Sequence, residues 1–186
     1  RLRNRHVADM SFADVPVDRM LSTQEAESIR TQIDMSKAGA ITKDDFIQHK
    51  DTTYLCVVDK DRNAVSLINS LYSHYGSGIT APKSGVILQN RGEGFVLREG
   101  HPNCIAPGKR PMHTIIPAMM AKDGKTVMPF GVMGGDFQPI GHTMVTTGML
   151  DFGMDPQDAI AQPRAFPYEG KVQLEPAIPE IGRAHV

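Results

Sequence analysis

Residues 52–72, TTYLCVVDKDRNAVSLINSLY, decide the fold of this chain. Thr52 to Val58 is β-branched, aromatic and aliphatic, Ala64 to Tyr72 is of the same kind, and the polar run Asp59–Asn63 separates them. Two such runs around a short polar turn predict neighbouring antiparallel strands. Unbroken hydrophobicity from Leu55 to Val58 further predicts that the first strand is covered on both faces by a layer of helix or sheet.

Upstream the character changes. Ser22 is placed to cap a helix and Glu25 to return the bond in a capping box, and Ala26, Ile29 and Ile33 follow at helical spacing. The pattern predicts a surface helix opening at Leu21, burying one stripe and ending near Gly39. A second cap is expected at Thr42, with Asp44 and Asp45 in its first turn before Phe46 and Ile47. The surrounding KAGAITKDDFIQHKD is charged and weakly periodic, a loop or short helix within reach of solvent.

Downstream, YGSGITAPKSG reads as an ordered irregular loop; no GKS or GKT ending makes it a phosphate cradle. Val86–Leu88 is expected as a short strand, and TIIPAMM as a strand whose Pro117 marks an edge or bulge. Lys122, Asp123 and Gly124 predict a hairpin turn before TVMPFGV, and Gly141–Phe152 predicts a helix. Asp155 caps a shorter helix with Pro156 in its first position, Pro163 stops it, and KVQLEP is the last strand. Strands, a central hairpin, then helices make the fold class α+β, with a predominantly antiparallel sheet.

The chain has 186 residues, enough for one domain or a large part of one. Its 20 basic and 21 acidic residues leave a net charge of -1, too little to draw nucleic acid or an anionic membrane, and no apolar run reaches membrane-spanning length. The opening RLRNRHVADMSF looks like a processed or truncated start, so it is silent on the parent protein's address. Cys56 and Cys104 have no CxxC neighbour and are expected to be ordinary buried or half-buried thiols. His101 and His142 form no spaced ligand set, so both are expected to be solvent-facing or structural. No metal and no organic cofactor is expected.

An internal threonine is a poor nucleophile, but one released at a chain start carries an α-amine with a pKa of about 8 that can serve as its base. DTTYL suits that logic, because an accessible linker ends at Asp51 and a strand begins at Thr52. Taken by themselves, two threonines at a strand start are usually just β-formers.

From about Asp9 to the last strand, the chain resembles the gamma-glutamyltransferase family, specifically the end of its large subunit followed by most of its small subunit. The resemblance is carried by VPVDRMLS, DTTYLCVVDKDRNAVSLINSLY, YGSGI, GVILQNR, APGKRPMHTIIPAM, GVMGGDFQPIGH and LDFGMDPQDAIAQPR. It implies the αββα sandwich of an N-terminal-nucleophile hydrolase, of which this chain supplies only part. Residues 1–51 would be the large-subunit tail and linker, and 52–186 the small catalytic subunit, with self-cleavage between Asp51 and Thr52. The catalytic set implied is Thr52 as nucleophile, Thr53 beside it, Ser70 bonded to it, and Gly134 and Gly135 as oxyanion donors.

For the substrate, the resemblance implies Arg91 at a position that helps hold a glutamyl α-carboxylate. Departures surround it: Gly94 stands where the family has an aspartate for the α-ammonium, with Glu93 as a partial replacement. His113 and Thr114 replace a serine pair, and Tyr72 replaces an asparagine. These departures resemble a divergent branch that includes acylases. The implied function is an autoprocessed amidohydrolase or acyltransferase acting on gamma-glutamyl or related acyl amides, with water or an amine as acceptor. The alternatives are a cephalosporin- or glutaryl-type acylase, or an inactive unprocessed structural subunit. The implied partner is the missing large-subunit portion, and a homo-oligomer is compatible with the sequence. The localisation expectation leans to the cytoplasm, with periplasmic or secreted placement open. Lys109, Arg110 and Arg164 are expected to be structural.

Overall fold

The computed structural model describes residues 2–37, 51–168 and 171–178. They fall into two compact units. One gathers the described parts of 1–46, 92–112 and 163–186, and the other those of 47–91 and 113–162. The architecture is α+β, and each sheet is a two-stranded antiparallel ribbon.

The second unit is built on the deciding stretch. β1 (Asp51–Val58) and β2 (Ala64–Tyr72) pair antiparallel, Leu55 facing Leu67 and Val57 facing Val65. Asp59 closes the turn between them by accepting from the backbone N–H groups of Asp61 and Asn63. A second ribbon joins β3 (Ala118–Lys122) to β4 (Lys125–Phe130). Its turn is as expected: Asp123 and Gly124 both lie at positive φ, 51° and 72°, the conformation of the tight hairpin turn whose twist matches its strands. β3 begins only after Pro117, so residues 114–117 are not strand, and the bulge falls between Met120 and Ala121. Val86–Leu88 is not a strand either: it contributes a single bridge, Thr80 with Ile87.

The ribbons meet on one face. Tyr54 Oη and Ser66 Oγ are 3.1 Å apart, and Ser66 Oγ donates to the Phe130 carbonyl at 3.2 Å. The opposite face of β1–β2 is not covered, contrary to expectation: Leu55, Val57, Val65 and Leu67 are 44–57% exposed. A continuous apolar run records that both faces of a strand are apolar; it does not record that the same chain carries both covers. Cys56, which pairs with Ser66 on the Tyr54 face, is also exposed, whereas Cys104 is half-buried.

α4 (Gln138–Leu150) starts three residues before the expected helix, fed by a single 3-10 turn, Gly135–Phe137, and carrying Pro139 at its start. Asp155 accepts from the Asp158 N–H at 2.9 Å and so caps α5 (Pro156–Ala161). The two helices touch where side chains are small, because a Cβ on Gly148 would lie 3.3 Å from the Ala159 methyl.

In the first unit, α1 (Leu2–His6) and α2 (Val17–Met20) precede α3 (Thr23–Arg30). Ser22 caps α3 by accepting from the Glu25 N–H at 3.1 Å, but the Glu25 carboxylate pairs with Arg19 at 3.0 Å, so only half of the capping box forms. α3 ends at Arg30 instead of near Gly39. Thr31 Oγ1 and Gln32 Nε2 both turn back onto the Ser28 carbonyl, competing with helix continuation. Its expected stripe is not buried, since Ile29 and Ile33 are largely exposed. Gly39 and the cap at Thr42 with Asp44, Asp45, Phe46 and Ile47 lie outside the described residues. β5 (Ala165–Tyr168) pairs with β6 (Lys171–Leu174), and Arg164 donates to Glu175 beside them at 2.8 Å.

Asp9 ties two segments of this unit, 1–46 and 92–112, to each other. Its side chain, 2% exposed, accepts from Arg110 through N, Nε and Nη2 at 2.9–3.1 Å and from the Ser11 N–H at 3.1 Å. Lys109 donates to the Pro102 carbonyl at 2.5 Å, so both basic residues bridge segments. No helix among the described residues is long and apolar enough to cross a membrane.

The bonds from Arg110 hold the Asp9 carboxyl well below the usual carboxylate range of about 4. A depressed native pKa stabilises above the unfolded value and is lost as pH falls through the native one. Asp9→Asn should therefore lower the urea midpoint at pH 7, and the gap between variant and parent should narrow as pH drops below about 4. An equal gap at pH 7 and pH 3 would contradict the assigned role.

Candidate active site

Thr52 sits at the one irregularity of β1–β2. Asp51 faces Tyr72 and Thr53 faces Asn69, so two residues of β2, Ser70 and Leu71, oppose Thr52 alone. A bulge of this kind re-aims side chains. Here Ser70 Oγ accepts from Thr52 Oγ1 at 3.3 Å, long for a pair of hydroxyls, and from the Tyr72 N–H at 3.0 Å. An open cavity of about 430 Å³ lies against this point, lined among others by Thr52, Thr53, Asn69, Ser70, Ser73 and Tyr75. The Thr52 nitrogen is an amide in this continuous chain, joined to Asp51.

The distortion continues into Tyr72, a non-glycine residue at φ 80°. In that conformation the phenol is buried and its ring lies under the Arg91 guanidinium, 4.8 Å from centroid to Cζ. Arg91 is 3% exposed, and its Nη1 donates to Thr114 Oγ1 at 3.2 Å, while Nη2 is buried without a partner. Burial pulls the Arg91 pKa down, and the neighbouring Tyr72 opposes that pull. A guanidinium taken out of water with a donor unmet is expensive unless an anion arrives. Thr52, Ser70, Tyr72, Arg91 and Thr114 thus form one chain of contacts within the second unit.

The remaining predicted residues are placed differently. His113 is exposed, next to buried Thr114. Glu93 is exposed and, with Gly94, belongs to the first unit. Gly134 and Gly135, like Tyr72, Arg91 and Thr114, are not part of the cavity lining above. They follow β4 in the turn 131–135, at φ 111° and 56°, which only glycine adopts without strain. The root of that turn lies directly on β1: a Cβ on Gly131 would come within 2.3 Å of the Tyr54 ring.

Two residues of this region were not read as functional from sequence. Gln138, with no exposed surface, accepts from the Ile116 N–H at 3.1 Å through Oε1. His142 Nε2 accepts from the Val132 N–H at 3.1 Å, and burial lowers its pKa. Their four-residue spacing directly after the glycine pair puts both on one helical face, a signal that was missed because the helix was expected to begin at Gly141. Among the described residues, no group of three or more His, Cys, Asp or Glu could hold a metal ion.

The family model for gamma-glutamyltranspeptidase matches residues 1–184. The chain belongs to that family. Among its relatives, a glutathione hydrolase-like YwrD proenzyme from Bacillus subtilis is 43% identical over 162 residues, covering 87% of this chain and 30% of the relative. An oxamate amidohydrolase proenzyme from Klebsiella pneumoniae is 36% identical, covering 88% and 30%. The chain therefore spans about 30% of the length of these curated relatives. The crystal structure of a cephalosporin acylase from Bacillus halodurans superposes with a TM-score of 0.84 at 38% identity, covering 98% of this chain and 34% of the acylase. Family membership thus agrees with the resemblance, and the α+β fold is that of gamma-glutamyltranspeptidase relatives.

The close approach at Gly131 is directly testable. Gly131→Ala should force the turn off Tyr54 and lower stability by about 1–3 kcal/mol in urea unfolding. Parental stability would show that the contact is not tight.

Proposed function

We propose that this chain is the catalytic part of an autoprocessed N-terminal-threonine hydrolase or acyltransferase that acts on amides whose acyl group carries a far carboxylate. The observation that carries the reading is the Thr52 hydroxyl, set at a bulge against Ser70 and opening on a cavity, in a chain whose relatives are named as proenzymes.

In the precursor, Thr52 Oγ attacks the Asp51 carbonyl carbon. The Oγ proton passes to the Thr52 nitrogen as the C–N bond breaks, so that the nitrogen becomes the Thr52 α-amine, and water hydrolyses the resulting ester to free the Asp51 carboxylate. Proximity drives this step, since nucleophile and carbonyl are neighbours in one chain. In the mature enzyme the α-amine takes the Oγ proton as Oγ attacks the substrate amide. The tetrahedral oxyanion is stabilised by the N–H groups of Gly134 and Gly135, the amine leaves with a proton, and an acyl ester on Thr52 remains. Water completes hydrolysis, or an amine completes transfer. Ser70 orients the hydroxyl, and Thr53 supports it from the next position.

Arg91 defines the other end of the substrate. Its unmet Nη2, with Thr114 and Tyr72 holding the guanidinium in place, suits a carboxylate. Gly94 offers no carboxylate for an α-ammonium, which favours a second reading within the same chemistry: a glutaryl-type acyl donor instead of a gamma-glutamyl one. The similarity to a cephalosporin acylase supports that reading. The rest of the protein completes the αββα sandwich and covers the exposed face of Leu55, Val57, Val65 and Leu67.

Mass spectrometry of the complete natural protein, incubated with gamma-glutamyl, glutaryl, oxamyl and uncharged acyl amides, tests the assignment. A new N-terminus at Thr52 and a mass increment of the acyl group on it are expected, and Thr52→Ala should abolish both. Turnover by a protein still joined at Asp51–Thr52 would end the proposal. Arg91→Gln should raise KM for carboxylate-bearing acyl donors about a hundredfold while leaving uncharged ones within about twofold. Equal loss on both classes would remove Arg91 from substrate recognition.

A further inference from the structure

The turn 131–135 has little of its own to hold its shape, because Gly131, Gly134 and Gly135 are among its residues. Its backbone carries the proposed oxyanion donors, which stabilise a transition state only if aimed to within tenths of an ångström. Some side chain must fix it, and α4 provides one. The Val132 N–H, two residues before the glycine pair, ends on Nε2 of His142.

His142 is itself held. Its ring stands 5.1 Å from the Phe130 ring, tilted by 45°. Gly141 beside it lets Val132 approach, since a Cβ there would come within 2.5 Å of Val132 Cγ1 and 2.8 Å of the Phe137 ring. One turn earlier on the same face, Gln138 takes the Ile116 N–H. The first turns of α4 therefore hold the chain just before β3 and just after β4. The turn closes on the other side through the Phe137 N–H, which donates to the Gly134 carbonyl at 3.0 Å.

We infer that His142 is a positioning residue for this reaction: by accepting the Val132 N–H, its neutral imidazole sets the backbone donors of Gly134 and Gly135 at the oxyanion. The role rests on the function proposed above. Accepting a backbone N–H requires a lone pair on Nε2, so the ring proton is on Nδ1. Imidazolium could not make the bond. Burial of the ring favours the neutral form. Such a residue touches neither acyl donor nor acceptor, so its loss weakens the transition state more than the bound substrate and appears in kcat before KM.

The test uses the complete natural protein, with kcat expressed per Thr52 N-terminus. His142→Leu should lower kcat about tenfold or more with KM within about twofold of the parent. His142→Gln, which returns an acceptor oxygen near the position of Nε2, should recover most of that loss. Amide hydrogen exchange in a peptide spanning Val132–Gly135 should be faster in His142→Leu and restored in His142→Gln. Parental kcat in His142→Leu, a rise in KM alone, or equal impairment of both variants would overturn the inference. If the parent turns over its substrate and His142→Leu matches it, only the role of His142 falls. A parent that acylates Thr52 with no substrate removes the proposed function, and the positioning role falls with it.

Discussion

The pairing of β1 with β2, and the single extra residue in it, is the constraint on which the rest of the candidate site depends. Regular pairing from Val58–Ala64 back to Thr53–Asn69 carries the ribbon to its open end. There Ser70 and Leu71 must share one partner. The strain of that mismatch appears in Tyr72, whose left-handed backbone is unusual for a residue with a side chain. The same mismatch brings the Ser70 hydroxyl to Thr52 and puts the Tyr72 ring beneath Arg91. One irregularity in a hydrogen-bond ladder thus connects a candidate nucleophile to a buried cation.

A second constraint is the contact between ribbons. Tyr54 lies two residues along β1 from Thr52, hence on the same face, and its ring occupies the space that a side chain at Gly131 would need. Ser66 ties the same face to the Phe130 carbonyl. The glycine turn consequently leaves from a fixed root and is gripped at Val132 from α4. Packing supplies the root and a polar contact supplies the aim. The first unit relies more on charge, through the Asp9 carboxylate and Arg110, because its helices bury little.

Much of the local structure was legible in sequence because it depends on near neighbours. The β1–β2 hairpin, the Asp123–Gly124 turn, the Ser22 and Asp155 caps and the short α5 all follow from patterns a few residues long. The errors share a cause. The expected cover over Leu55–Val58 and the buried stripe of the helix ending near Gly39 each assumed that apolar spacing finds a partner within this chain. A chain spanning about 30% of its relatives' length need not contain those partners. The start of α4 was placed three residues late, although Pro139 is well suited to a helix's first turn.

By itself the sequence determined the family, the candidate threonine and the glycine pair, since each depends on residue identity in order along the chain. Only the tertiary structure decided that Ser70 lies opposite Thr52 at a bulge, that Arg91 is buried with a donor unmet, and that Gln138 and His142 hold the chain on either side of the β3–β4 ribbon. Those are statements about register, desolvation and contact between residues far apart in the chain. No local pattern encodes them, because the free energy that sets each one belongs to the folded neighbourhood and not to the residue.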